Sequence, residues 1–488
     1  MQLSSIRREW SANPVREMLA GAVATFALIP EVIAFSFVAG VDPQVGLFAS
    51  FVIGIVIAFT GGRPAMISAA AGSVALVAAP LVHAHGLPYL FAAGLLAGII
   101  QILFGLLRLD VLMRFVSKSV RTGFVNALAI LIFSAQLPHI IGGDWIAYTL
   151  FAAGLAVIYL APRITTAIPS PLICILILTV AAVGLHLPVP TIADLGKLPD
   201  SLPIFGWPAV PLTLETLTII AGPALAIAMV GLLESMMTAS VVDDLTDTPS
   251  SKNRECTGLG LANVVSSLFG GIAGCGMIGQ TVSNVKYGGR GRVSTLFAGA
   301  FLLVLMVLLK PWVSQVPIAA LVAIMVMVSI DTFDWSSLRT LVIHPKTSSI
   351  VMLATVVVTV SSSNLALGVT VGVLLSGVFF TFKVARLLRV DVEPDEAAAR
   401  LVYRISGQVF FASADLFIEA FDIRDAAGKA VLIDVRDAHF WDITAVAALD
   451  KVVQRYKAHD IRVEVTGLNQ ASSTLIGRLD NSVGLKEI

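Results

Sequence analysis

Two carboxylates stand inside apolar runs. Glu31 follows Pro30 in the first long apolar run, and Glu234 follows Leu232-Leu233 in a run about halfway along the chain. A charged side chain at bilayer depth costs about 2.5–3.5 kcal/mol, so such a residue faces the protein interior or water and is usually functional. Its chemistry is uptake and release of a proton, or binding of a cation. The second candidate is the stretch Gly270–Gly289, in which seven of twenty residues are glycine. Glycine weakens helices, and Gln280, Thr281, Ser283, Asn284 and Lys286 are too polar for a lipid-facing span. The stretch is therefore expected to be broken, with Gly270–Met277 irregular or extended and Ile278–Lys286 a short half-helix. The half-helix N-terminus, at Ile278, Gly279, Gln280 and Thr281, would present free N–H groups and partial positive charge to an anion.

The broken stretch has an echo in Gly61–Pro80, a Gly/Ala/Ser segment between longer apolar runs. Here Ala65, Ala69, Ala70 and Ala71 would let the backbone approach a ligand closely, and Ser68 and Ser73 could add hydroxyl donors. The runs that follow also match. Leu90-Phe91-Ala92-Ala93-Gly94 answers Leu296-Phe297-Ala298-Gly299 at a separation of 206 residues, and Glu31 answers Glu234 at 203. Two halves with interrupted apolar segments in corresponding places point to a secondary transporter whose site lies between repeats.

The elements that carry these residues are membrane spans. Of 488 residues, 57% are hydrophobic and 13% charged, with mean hydropathy +0.90, whereas soluble domains carry about 25% charged residues. Cys174, Cys256 and Cys275 lack CxxC spacing and read as buried thiols, with no disulfide framework and no metal site. A basic lead, residues 1–16, shows no secretory cleavage pattern. Seven segments are expected in 17–187, a Pro/Gly-rich connector over 188–211, and seven more in 213–389. With the N-terminus in the cytoplasm, this count puts 19 Lys/Arg on the cytoplasmic side and two, Lys197 and Lys310, on the other. That asymmetry obeys the positive-inside rule, so both termini are expected in the cytoplasm. His83, His85 and His139 fall on the outer side, where a solvated histidine is the default.

From about Val390 the composition becomes that of a soluble domain. Leu401–Ile405, Ala430–Val435 and Arg462–Thr466 read as strands. Ala414–Ala426, Ile443–Ala458 and a stretch from Ser472 to about Leu479 read as helices. Alternation of this kind implies a small α/β domain over 390–488. It contains no GxxxxGK or GxGxxG phosphate loop, which argues against an ATP-driven engine. Asp442 is expected to cap the helix at Ile443.

Several of these stretches resemble one family. Phe26–Phe51 (FALIPEVIAFSFVAGVDPQVGLFASF) resembles the first two spans of the sulfate permease (SulP) anion transporters, which include prestin and pendrin, and Gly279–Arg292 (GQTVSNVKYGGRGR) resembles their tenth. Ile405–Ser413 and Val431–Thr444 look like a STAS domain. The resemblance implies a seven-plus-seven inverted repeat of 14 transmembrane segments with core and gate domains, usually dimeric. The anion would sit between the facing N-termini of segments three and ten, under segments one and eight. Two positions depart from the family pattern. Pro30-Glu31 stands where many relatives have Pro-Gln, and Gln280 where animal relatives have arginine.

The resulting expectation is a secondary transporter of a small anion in the cytoplasmic (inner) membrane, coupled to protons through Glu31 and Glu234. Substrate contacts fall to Ser68, Ala69, Ala70, Ala71, Ile278, Gly279, Gln280 and Thr281. A sodium-coupled or uncoupled bicarbonate, sulfate or chloride carrier is the first alternative, and an anion sensor signalling through the STAS domain the second. No nucleophile–base pair, metal cluster or cofactor motif points to an enzyme, and nothing points to nucleic acid as a partner. The lost arginine and the added Glu31 tilt the substrate toward carboxylates.

Overall fold

The computed structural model describes residues 9–10, 13–141, 144–165, 169–196, 198, 202–343, 345–396, 399–426, 429–470 and 472–474. By contacts the chain divides into two compact units, Met1–Val373 and Leu374–Ile488. The sequence places this boundary at 389/390.

In the first unit, α1 (Pro14–Val38) and α2 (Pro43–Thr60) are followed by the two-residue strand β1 (Ser68–Ala69) and α3 (Gly72–His85). Then come α4 (Leu87–Leu106), a 3-10 turn over Leu109–Phe115, α5 (Lys118–Ile140), α6 (Trp145–Ile164) and α7 (Ser170–Gly184). The order repeats as α8 (Leu214–Thr246), α9 (Lys252–Leu268), β2 (Cys275–Gly276), α10 (Ile278–Lys286), α11 (Arg292–Val313) and α12 (Ile318–Thr332). A short helix Ser336–Ile343, not foreseen in the sequence, precedes α13 (Lys346–Ser362) and α14 (Leu365–Ala385). Among the described residues nine helices are long and apolar enough to cross a membrane, and α3, α7 and α13 are shorter apolar helices. The remaining two, α9 and α10, carry polar residues that the surrounding protein buries, among them Asn263, Gln280, Thr281 and Asn284.

The repeat is visible in the packing. Helices α1–α4 pack chiefly against α8–α11, whereas α5–α7 pack against α12 and α13. Two crossings allow almost no side chain. A Cβ on Gly260 would lie 2.5 Å from the Gly98 carbonyl oxygen, where α9 crosses α4. One on Gly54 would lie 2.9 Å from Gly299 Cα, where α2 crosses α11. These crossings are repeat mates, since α2 corresponds to α9 and α4 to α11. Glycine at all four positions brings backbones close enough for broad dispersion contact, which is what drives helix association in lipid.

In the second unit β3 (Arg389–Asp395), β4 (Arg400–Val409), β5 (Ala430–Phe440) and β6 (Val463–Thr466) form one sheet in the order β3-β4-β5-β6. The first pair is antiparallel and the other two are parallel. Helices α15 (Ala414–Glu419) and α16 (Ile443–Lys457) accompany it. Strand β3 escapes a hydrophobic-pattern reading because Arg389, Asp391, Glu393 and Asp395 alternate along an exposed edge, where charge discourages pairing with other chains. The core gathers Tyr403, Phe417, Ile433, Val452 and Tyr456. The Tyr456 hydroxyl donates to the Tyr403 hydroxyl at 3.0 Å, and burial raises both phenol pKa values. Asp422 is held down at about 2 by hydrogen bonds from the neighbouring Arg424. The cap expected at Asp442 forms, with Ala445 N donating to its Oδ1 at 2.8 Å. The helix expected from Ser472 to Leu479 lies outside the described residues beyond 474.

Candidate functional site

The two broken segments meet in the middle of the first unit. Strands β1 and β2 pair antiparallel, Ser68 with Gly276 and Ala69 with Cys275. Ala69 and Cys275 are 206 residues apart, the same separation as the helix starts Gly72 and Ile278, so the pairing sits on the repeat's own axis of symmetry. The chains cross closely: a Cβ on Gly274 would lie 2.1 Å from the Ala69 carbonyl oxygen.

Irregular backbone buried this deep needs partners, and neighbouring side chains supply them. Asn263 accepts from Gly274 N at 2.8 Å and donates to Gly274 O at 3.1 Å. The Ser235 hydroxyl accepts from Gly276 N at 2.9 Å, and Thr238 donates to Gly276 O at 3.0 Å. On the other strand the Ser50 hydroxyl accepts from Ala70 N at 3.2 Å, and Thr281 Oγ1 accepts from Ile67 N at 2.9 Å. Cross-repeat pairing therefore fixes where both half-helices begin. Their N-caps are Ala71 and Met277, and neither receives a side-chain capping bond. The first residues of α3 and α10 thus border one region, and no N-cap side chain satisfies the N–H groups of either helix.

That region is a cavity of about 360 Å³. Its walls include Glu31 from α1, Gly72 and Ser73 from α3, Glu234 from α8, and Ile278, Gly279 and Gln280 from α10. Phe124 and Leu128 of α5 and Met327, Asp331 and Thr332 of α12 close the opposite side. Glu31 and Gln280 line the cavity from α1 and α10. The Ser73 hydroxyl donates to Glu234 Oε2, and Cys275 Sγ donates to the same oxygen at 3.0 Å. Among the described lining residues none is Lys, Arg or His.

Five of the ten residues singled out in the sequence line this cavity: Glu31, Glu234, Ile278, Gly279 and Gln280. The other five, Ser68, Ala69, Ala70, Ala71 and Thr281, are buried behind the wall. Ala69 is used in strand pairing, Ala70 N is satisfied by Ser50, Ala71 is the helix cap, and both bonds of the Thr281 hydroxyl go to Ile67. They shape the site rather than face it. Ser73, named in the sequence as a hydroxyl donor, also lines the cavity, and Cys275 and Asp331 belong to the polar cluster in addition. Asp331 gives a weak sequence signal, because an acid just after the apolar run Ile318–Ile330 reads as the start of a loop.

Comparison with known proteins agrees with this architecture. The model of the Sulfate permease family matches residues 15–153 and 145–355, and that of the STAS domain matches 389–482. The chain is 51% identical over 475 residues to the Putative sulfate transporter YbaR of Bacillus subtilis, covering 97% of this chain and 99% of that one. It is 27% identical to the Bicarbonate transporter BicA of Picosynechococcus, over 92% and 88% of the two chains. Among solved structures, murine Solute Carrier 26 family member A9 matches with a TM-score of 0.84 at 16% identity, over 96% of this chain and 88% of that one. The transmembrane domain of a cyanobacterial BicA matches with a TM-score of 0.67 at 25% identity, covering 74% and 98%. The chain belongs to the sulfate permease family, a family of transporters rather than enzymes, and carries a C-terminal STAS domain.

Proposed function

We propose that this anion transporter is a secondary carrier of the cytoplasmic (inner) membrane, with both termini in the cytoplasm, that moves a small anion together with a proton. The observation that carries the reading is the composition of the cavity. Two uncapped helix N-termini give an anion partial positive charge, yet among the described residues the side chains around it include three carboxyl groups and no cation. Helix termini of this kind contribute about 0.3–1 kcal/mol each, up to ~2 in a partly buried site. That is too little to hold an anion against several ionised carboxylates. A proton taken up on Glu31 as the anion arrives removes the repulsion and keeps the translocated charge small. Glu234, already engaged by Ser73 and Cys275, is the second proton or cation position.

Transport then consists of carrying the half-helices and Glu31 past the α5 and α12 wall, with release of anion and proton on the far side. The likeness to proteins named as sulfate and bicarbonate transporters supports inorganic oxyanions as substrates ahead of succinate or fumarate. A homodimer is proposed as the working assembly.

The test is uptake of labelled sulfate, bicarbonate, chloride and succinate into proteoliposomes, with and without an inward proton gradient, for wild type and Glu31→Gln. Accumulation of one anion should rise as the outer pH falls below the inner, and the dependence should vanish in Glu31→Gln. Equal flux in both proteins, indifferent to pH, would show that Glu31 is structural. Driving by a sodium gradient instead would move the coupling to Glu234.

A further inference from the structure

A second cavity, of about 300 Å³, lies beside the first and shares Met237 with it. Its charged walls are Asp110 from the 3-10 turn, Arg121 from α5 and Lys252 from α9. Lys252 is already paired, its Nζ lying 2.9 Å from Asp243 Oδ2. The other two charges are not. Among the described residues no hydrogen bond or ion pair engages the Arg121 guanidinium, and the buried Asp110 Oδ1 has no hydrogen-bond partner. A buried carboxylate oxygen without a donor is costly, so its presence signals a missing partner.

A third cavity, of about 280 Å³ and mostly apolar, continues from the second across the shared residues Met113, Val116 and Leu233. It runs between α8 and α14 past Gly222, Met229 and Val369. Leu225 and Leu367 on its walls are 53% and 46% exposed. The pair of cavities is therefore a polar chamber that holds, among the described residues, one free guanidinium and one carboxylate oxygen without a donor, joined to an apolar groove that reaches an exposed hydrophobic face.

We propose that this composite site holds one molecule of phosphatidylethanolamine, wedged between α8 and the α5 and α14 helices. The phosphate accepts from Arg121, with the Lys252 ammonium alongside. The ethanolammonium donates to Asp110 Oδ1, and an acyl chain fills the groove beside Gly222. Charge decides among headgroups. Free Arg121 and free Asp110 sum to zero, matching a zwitterion. Phosphatidylglycerol would bring a net negative charge to Asp110. Phosphatidylcholine has the phosphate but no N–H to give the orphaned oxygen. A lipid seated there bridges the two helix sets and would bias their relative movement.

The experiment is native mass spectrometry of the full chain taken from proteoliposomes of phosphatidylcholine doped with equal amounts of phosphatidylethanolamine and phosphatidylglycerol. One retained phosphatidylethanolamine per chain is expected. Retention should fall about tenfold in Arg121→Gln and in Asp110→Asn, the loss of one charge-assisted bond each. Gly222→Leu supplies a variant that folds, because a Cβ there meets nothing within 4 Å and leucine favours the helix. It should displace the lipid by filling the groove. Equal retention of phosphatidylglycerol, retention unchanged in Asp110→Asn, or displacement of the lipid by millimolar sulfate or bicarbonate would each overturn the proposal. The last result would make the chamber a vestibule for the transported anion.

Discussion

Asp331 is the residue whose importance the cavity reveals most directly. It sits at the end of α12, on the wall facing Glu31 and the half-helix N-termini, and its negative charge acts on any anion that enters. Neutralising it should tighten anion binding: Asp331→Asn is expected to lower KM about 3- to 10-fold, as the removal of one unit charge a few ångströms away through a partly aqueous path implies. The effect should be larger for sulfate than for bicarbonate, because a dianion feels twice the repulsion. Initial uptake rates at fixed pH, separated into kcat and KM, check it. A change in kcat alone would place Asp331 in helix movement and not in anion recognition. The alanines show the converse case. Ala69, Ala70 and Ala71 attract notice in the sequence as small residues suited to a ligand. In the structure all three are fully buried: Ala69 pairs with Cys275, Ala70 N donates to Ser50, and Ala71 is the N-cap of α3.

At the scale of elements, the half-helices were legible because composition alone rules out a continuous lipid-facing helix over Gly270–Gly289. The structure starts α10 at Ile278 and ends it at Lys286, as the glycine pattern and the polar run imply. Helix α9 is free of charged residues in the sequence only over the run Cys256–Leu268. It extends back to Lys252 because its first turns pack against α2 and α4 rather than lipid. The glycine crossings set the tolerance of this packing. Gly260→Ala places a methyl group 2.5 Å from the Gly98 carbonyl oxygen, so α4 and α9 must separate. An overpacking cost of about 1–3 kcal/mol is expected, against a gain of about 1 kcal/mol in helix propensity. The net loss should appear as a lower Tm in detergent, while Gly377→Ala, whose Cβ meets nothing within 4 Å, should leave Tm unchanged or raised.

For the whole molecule, the two hydrophobic cores are built from separate stretches of chain. The membrane core draws on no residue beyond Val369, and the tail core begins at Leu388. Deletion of residues 389–488 is therefore expected to leave a monodisperse, helical membrane unit with a Tm within about 2–4 °C of the full chain, read by circular dichroism and size exclusion. Aggregation of the truncated chain would show that the tail stabilises the membrane unit.

What the sequence determined by itself was whatever depends on composition and period. The apolar runs, the doubled order of segments at a separation near 206, the soluble α/β tail and the expense of Glu31 and Glu234 all follow from local chemistry. The tertiary structure decided which surfaces those segments turn toward one another. Five of ten proposed site residues line the cavity and five lie behind it, because strand pairing between residues 206 apart sets the rotation of each half-helix. Asp331, and the meeting of Arg121 and Asp110 in the walls of one chamber, were out of reach for the same reason. Each is an ordinary charged residue near the end of a helix until contacts between distant segments give it a neighbour.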